Sequence, residues 1–125
     1  MSLRNSLKGT GVALVTPFKT NFDIDYDSLE KVIENAITNG VNYLVTLGST
    51  GEAATLEQAE KIEVINFTFE KVKNRVPVVV GIGGNYTNEI LQNIEYYPLD
   101  QAAAILTSSP HYNRPSQEGI FQHYK

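Results

Sequence analysis

The chain has 125 residues, with 10 Lys and Arg against 14 Asp and Glu, a formal charge of −4. That balance argues against nucleic acid or an anionic membrane as a partner, since both demand clustered positive charge. Cysteine is absent, which excludes disulfide scaffolds, cysteine-ligated zinc and thiol nucleophiles. No apolar stretch approaches the roughly 20 residues of a membrane span, and the opening Met1–Ser6 segment has no signal-like apolar core, so a cytoplasmic protein is expected.

Four units of one type follow one another, each a short apolar run, a Gly/Ser/Thr/Pro turn and a helical pattern. The first run is Val12–Thr16, closed by Pro17. Behind it, Leu29, Val32, Ile33, Ala36 and Ile37 fall at i, i+3, i+4, i+7 and i+8, one stripe of a helix. Asp25 or Asp27 can cap its start, and Gly40 can end it in the left-handed conformation. The second run is Tyr43–Leu47, closed by Gly48–Gly51. Thr55–Gln58 has the form of a capping box, and the helix behind it is expected to reach about Lys73 with Ile62, Ile65, Phe69 and Val72 inward. The third run is Val76–Val80, closed by Gly81–Gly84, and its helix starts at Thr87 or Asn88, carries Ile90, Leu91 and Ile94, and stops before Pro98. The fourth run is Ala102–Thr107, closed by Ser108–Pro110, and a last helix starts near Ser116 and reaches Lys125 without a stop signal.

These runs do not alternate apolar with polar, the pattern of strands buried on both faces of a parallel sheet. A spacing of roughly 30 residues between strand starts suits βαβ units with right-handed crossovers. The class is therefore α/β. Four βα units make half of an eight-unit barrel, and an open doubly wound sheet is the competing architecture. The Gly-x-Gly-x-x-Gly fingerprint of the latter is missing behind the first run, and Gly81-Ile-Gly-Gly84 stands behind the third with the wrong spacing.

In both folds the chemistry gathers at the carboxyl ends of the strands. Gly48-Ser-Thr-Gly-Glu52 is the leading candidate there, because Gly48 and Gly51 permit close backbone approach and Ser49 and Thr50 add two hydroxyl donors, a nest that fits a small carboxylate. Taken alone, such a stretch reads more simply as a tight turn. The Pro110–Ser116 loop is second: Tyr112 brings a phenol usable as a proton relay, against the plainer reading of packing. Arg114 reads alone as a solvated loop charge, His111 as a partly buried polar residue, His123 as structural, and Tyr96 and Tyr97 as helix-end packing. The two histidines lack the carboxylate pattern of a metal site.

Taken together and in order, Ala13-Leu-Val-Thr-Pro-Phe18, Gly48-Ser-Thr-Gly-Glu52 and Pro110-His-Tyr-Asn-Arg-Pro-Ser-Gln-Glu-Gly119 resemble the dihydrodipicolinate synthase / N-acetylneuraminate lyase family of pyruvate-dependent class I aldolases. The likeness runs from about Gly9 to Lys125 and covers the first half of a family member. It implies that residues 1–125 are the N-terminal half, (β/α)4, of a single TIM (β/α)8 barrel domain. Asn-Arg-Pro-Ser-Gln-Glu-Gly resembles the synthase branch, while Ser at position 49 also occurs in the lyase branch, which stays the alternative. The resemblance implies that pyruvate forms a Schiff base with a lysine, needs no separate cofactor or metal, and condenses with a small aldehyde, aspartate semialdehyde in the synthase branch. Ser49 then matches a relay hydroxyl, Ser49 and Thr50 the site of the pyruvate carboxylate, and Tyr112 a relay tyrosine that reaches a neighbouring subunit. A homodimer or homotetramer is implied. Asn85 and Glu89 match positions that bind the inhibitor lysine in some members, and His111 stands where those members often have Tyr.

The Schiff-base lysine of the family lies on a sixth strand, outside these residues. Lysines 8, 19, 31, 61, 71, 73 and 125 all fall outside the apolar runs, and a nucleophilic lysine needs desolvation or a neighbouring cation to lose its proton. The isolated chain is therefore expected to be inactive and to be a fragment. A non-catalytic half-barrel serving as a binding or assembly module is the alternative of another class.

Overall fold

The computed structural model describes residues 2–125. Strands β1 (Gly11–Ala13), β2 (Tyr43–Thr46), β3 (Val78–Gly81) and β4 (Ala104–Leu106) form one sheet in the order β1-β2-β3-β4, with every neighbouring pair parallel. Parallel neighbours need a crossover, and α2 (Tyr26–Thr38), α3 (Gln58–Val72) and α4 (Thr87–Tyr96) supply the three; α1 (Leu3–Ser6) precedes β1 and α5 (Gln117–Tyr124) follows β4. The (β/α)4 order expected from the sequence is the observed one.

The register places Val12, Leu44 and Val78 in one row and Ala13, Val45 and Val79 in the next, on the opposite face. The first face, continued by Leu14, Thr46 and Val80, is buried against Leu29 and Ile33 of α2, Val64, Ile65 and Val72 of α3, and Ile90 of α4. The second face is largely open: Val15 is 46% and Leu106 51% exposed. Burial on both faces therefore holds for β3, whose Val78, Val79 and Val80 are all buried, and fails for β1 and β4. The helices cover one side of the sheet, and the outer strands lack the flanking neighbours that shield the middle of it.

Local chemistry sets the helix bounds. Asp25 caps α2, accepting from the Ser28 N–H at 3.0 Å and the Ser28 hydroxyl at 2.7 Å, and these bonds hold its carboxyl below the ordinary carboxylate range. Thr55 does not cap α3. Its hydroxyl donates to the Glu52 carbonyl inside a 3-10 turn, Leu56 is extended and buried behind it, and the cap falls to Glu57, whose N–H donates to the Glu60 carboxylate at 2.8 Å. The inward face of α3 also holds Thr68, whose hydroxyl donates to the Val64 carbonyl at 2.7 Å, an i−4 bond that lets a polar residue sit in the core. Arg75, just behind α3, forks onto Glu34, and Lys71 of α3 pairs with Glu30 at 3.1 Å, tying the end of α3 and the segment after it to α2 at the surface. On α4 only Ile90 is buried; Leu91 is 54% exposed. The expected packing of Tyr96 and Tyr97 holds for Tyr97 alone, since Tyr96 is 65% exposed. No helix among the described residues is long and apolar enough to cross a membrane.

Candidate active site

The carboxyl ends of the strands are built against one another. Thr16, just beyond β1, is buried and donates its hydroxyl to the Gly51 carbonyl at 2.7 Å, which pins the turn after β2 to the end of β1. Leu47 leaves β2 buried and at φ +56°, a left-handed conformation that a leucine adopts only where its surroundings enforce it. Its carbonyl lies so close to the backbone of Gly81, at the end of β3, that a methyl group on Gly81 would overlap it. Glycine is required there by space.

Ser49–Gly51 then form a 3-10 turn closed by Gly51 N–H to Gly48 O and Glu52 N–H to Ser49 O, both 3.0 Å. Ser49 and Thr50 are exposed, and among the described residues neither their N–H groups nor their hydroxyls have a partner within the chain. Two amides and two hydroxyls are thus available at one strand end, the donor set that suits a small anion.

A cleft of about 650 Å³ opens at the carboxyl ends of β2, β3 and β4. Of the residues singled out in the sequence, Ser49, Asn85, Glu89 and His111 line it, and Thr50 and Tyr112 do not. Tyr112 is 85% exposed, and its phenol makes no hydrogen bond with Ser49 or Thr50. Its loop is held instead by Asn85, whose side-chain oxygen accepts the N–H groups of His111 at 2.8 Å and Tyr112 at 2.9 Å. His111 is exposed rather than partly buried. His123 has the structural role expected, pairing through Nδ1 with the Thr87 hydroxyl at 2.8 Å. Tyr97 also lines the cleft, and burial, reinforced by the Glu89 charge, pushes its phenol above its ordinary value.

Sequence reasoning missed Lys61, which it counted only as one of the lysines outside the apolar runs. It lines the cleft from the first turns of α3. The signal was available: a helix that starts directly behind a strand-end turn brings its first residues to the same rim. Among the described residues no group of three or more His, Cys, Asp or Glu is placed to hold a metal ion.

A parallel sheet in chain order, helices on its covered face and donors collected at the carboxyl strand ends define one half of a (β/α)8 barrel with its site at the end such barrels use. The comparisons with known proteins place that half. The family model described as the dihydrodipicolinate synthetase family matches residues 6–125, and the chain belongs to this family. It is 45% identical over 120 residues to a 4-hydroxy-tetrahydrodipicolinate synthase of Parabacteroides distasonis, covering 96% of this chain and 40% of the relative. It is 48% identical over 120 residues to the Karelsulcia muelleri enzyme of the same name, with the same coverage of 96% and 40%. Among solved structures, a monomeric dihydrodipicolinate synthase variant superposes with a TM-score of 0.90 at 39% identity, over 96% of this chain and 40% of that one. Dihydrodipicolinate synthase from Thermotoga maritima gives 0.88 at 41% identity, over 94% and 39%. The chain thus spans about 40% of the length of the curated relatives it matches.

Proposed function

We propose that this chain supplies the amino-terminal (β/α)4 part of a cytoplasmic Schiff-base lyase that condenses pyruvate with L-aspartate semialdehyde to hydroxy-tetrahydrodipicolinate, a step of lysine biosynthesis. The observation that carries this reading is the pair of unpartnered, exposed residues Ser49 and Thr50 at the end of β2 in a chain of this family.

In the proposed reaction a lysine amine adds to the pyruvate ketone and water leaves as the imine forms. Loss of a methyl proton gives an enamine, whose carbon attacks the aldehyde. The ring then closes as an amine displaces the enzyme lysine and frees it. Thr50 and the neighbouring N–H groups hold the pyruvate carboxylate through the steps. The Ser49 hydroxyl relays protons, together with Tyr112 presented by a second copy in a homodimer or homotetramer. The exposure of Tyr112 and its lack of an intrachain partner support that assignment. No separate cofactor enters. Asn85, Glu89 and His111, gathered in one cleft, are proposed to take lysine as an effector, with Glu89 facing its cationic end.

The amine is assigned to a residue outside these 125, because every lysine of the chain lies on a helix, turn or loop and none on β1–β4. Borohydride reduction with pyruvate, read by intact mass, is expected to leave the 125-residue chain unmodified; a stoichiometric adduct would overturn the assignment. Pyruvate titrated without reductant is expected to shift the amide resonances of residues 49–51, and to do so more weakly in Thr50→Val. No shift at this turn in the parent chain would overturn the carboxylate site.

A further inference from the structure

We infer that Asn85 is a positioning residue: it fixes the loop that carries Tyr112 and so sets where that phenol is presented. The inference rests on the relay role proposed for Tyr112. The side-chain oxygen of Asn85 accepts two consecutive backbone amides, those of His111 and Tyr112, and its own carbonyl accepts Asn113 Nδ2 at 2.9 Å. Among the described residues, no other hydrogen bond joins the segment from Pro110 to Pro115 to the rest of the chain. The loop has no strand or helix of its own, so one residue, 26 to 28 positions away in sequence, supplies its polar anchors, two through its side-chain oxygen and one through its backbone carbonyl.

The chemistry of the residue fits the task. An amide oxygen has two lone pairs, and both are used by adjacent N–H groups, which fixes the direction of the peptide plane between them. The phenol of Tyr112 has no partner of its own in the chain and is 85% exposed, so its placement is inherited from the backbone that Asn85 holds. The underlying packing is close: a methyl on Gly83 would sit 2.9 Å from the Ser108 hydroxyl, so the loops after β3 and β4 already touch before Asn85 reaches across. The Asn85 side-chain oxygen being committed to the loop, its NH2 is the group left to face the cleft that it also lines.

Amide hydrogen exchange on the 125-residue chain, followed by NMR, tests this. The His111 and Tyr112 amides are expected to be protected. Asn85→Ala should speed their exchange about tenfold or more while core amides such as Val80 are unchanged. Asn85→Asp keeps two acceptor oxygens and should restore protection. Asn113→Ala, which removes only the bond to the Asn85 carbonyl, should leave both amides protected. With 3-fluorotyrosine incorporated, the Tyr112 resonance should narrow and move towards that of free tyrosine in Asn85→Ala alone. Unprotected amides in the parent, unchanged exchange in Asn85→Ala, or no rescue by Asn85→Asp would each overturn the inference. If Asn85→Ala does not fold, the protection measured in the parent, Asn85→Asp and Asn113→Ala decides it. Pyruvate plays no part in this experiment, so its failure is separate from failure of the proposed reaction.

Discussion

Replacing Thr16 with valine tests how the turn after β2 is held. Valine keeps the shape and removes the hydroxyl, so the Gly51 carbonyl loses the donor now 2.7 Å away. Both residues are buried, Thr16 at 4% exposure, so water cannot simply replace the donor. A buried acceptor left unpaired costs about 1–3 kcal/mol, while the more apolar methyl returns a fraction of that. The expected loss is about 2 kcal/mol, a fall of roughly 1 M in the urea midpoint for a domain of this size with an unchanged slope. Thr16→Ser keeps the hydroxyl and loses only a methyl, so it should cost about 1 kcal/mol. Urea unfolding of the three chains, with amide exchange at Gly51 and Glu52, provides the reading. Thr16→Val within experimental error of the parent, or Thr16→Ser more damaging than Thr16→Val, would show that the hydroxyl does not anchor the turn.

Gly81→Ala should destabilise by about 3 kcal/mol, because its methyl meets the Leu47 carbonyl, backbone that no rotamer change can clear; an unchanged urea midpoint would refute that contact. Tyr26 donates to Glu63 at 3.1 Å, and burial, with this bond and the Glu63 charge, raises its phenol from 10.0 to about 12. The folded state therefore favours the neutral phenol. That contribution is fully present below pH 10 and is lost as pH rises from 10.0 to about 12. Urea midpoints taken across this window should fall in the parent and fall less in Tyr26→Phe.

Periodicity made the helices legible. The stripe Leu29, Val32, Ile33 gave α2 its inward face, and Asp25 its cap, because helix signals are local and repeat every turn. Strand runs located the sheet but not its limits. The first run was read to Thr16, whereas β1 ends at Ala13: Leu14 still donates to the Val45 carbonyl, but beyond it the chain turns away to carry Thr16 to Gly51. The third was read from Val76, yet β3 starts at Val78, since Pro77 has no N–H to give a ladder. The exposed face of the sheet was not legible either, because an apolar run does not say how many neighbours it will find. In the site, Ser49 and Thr50 announce themselves by type and spacing. The Asn85 clamp does not, since it joins segments more than two dozen residues apart and leaves no period in the sequence.

The uninterrupted strand order has a geometric corollary. A strand that follows β4 in parallel must arrive by a crossover, and the handedness of such connections puts its helix on the side where α2, α3 and α4 already lie. Each added unit therefore lengthens the covered wall and leaves the bare one untouched. Val15 and Leu106 can be enclosed by successive strands only when the wall curls until its two rims meet, an arrangement in which the helices lie outward and the bare wall faces the lumen.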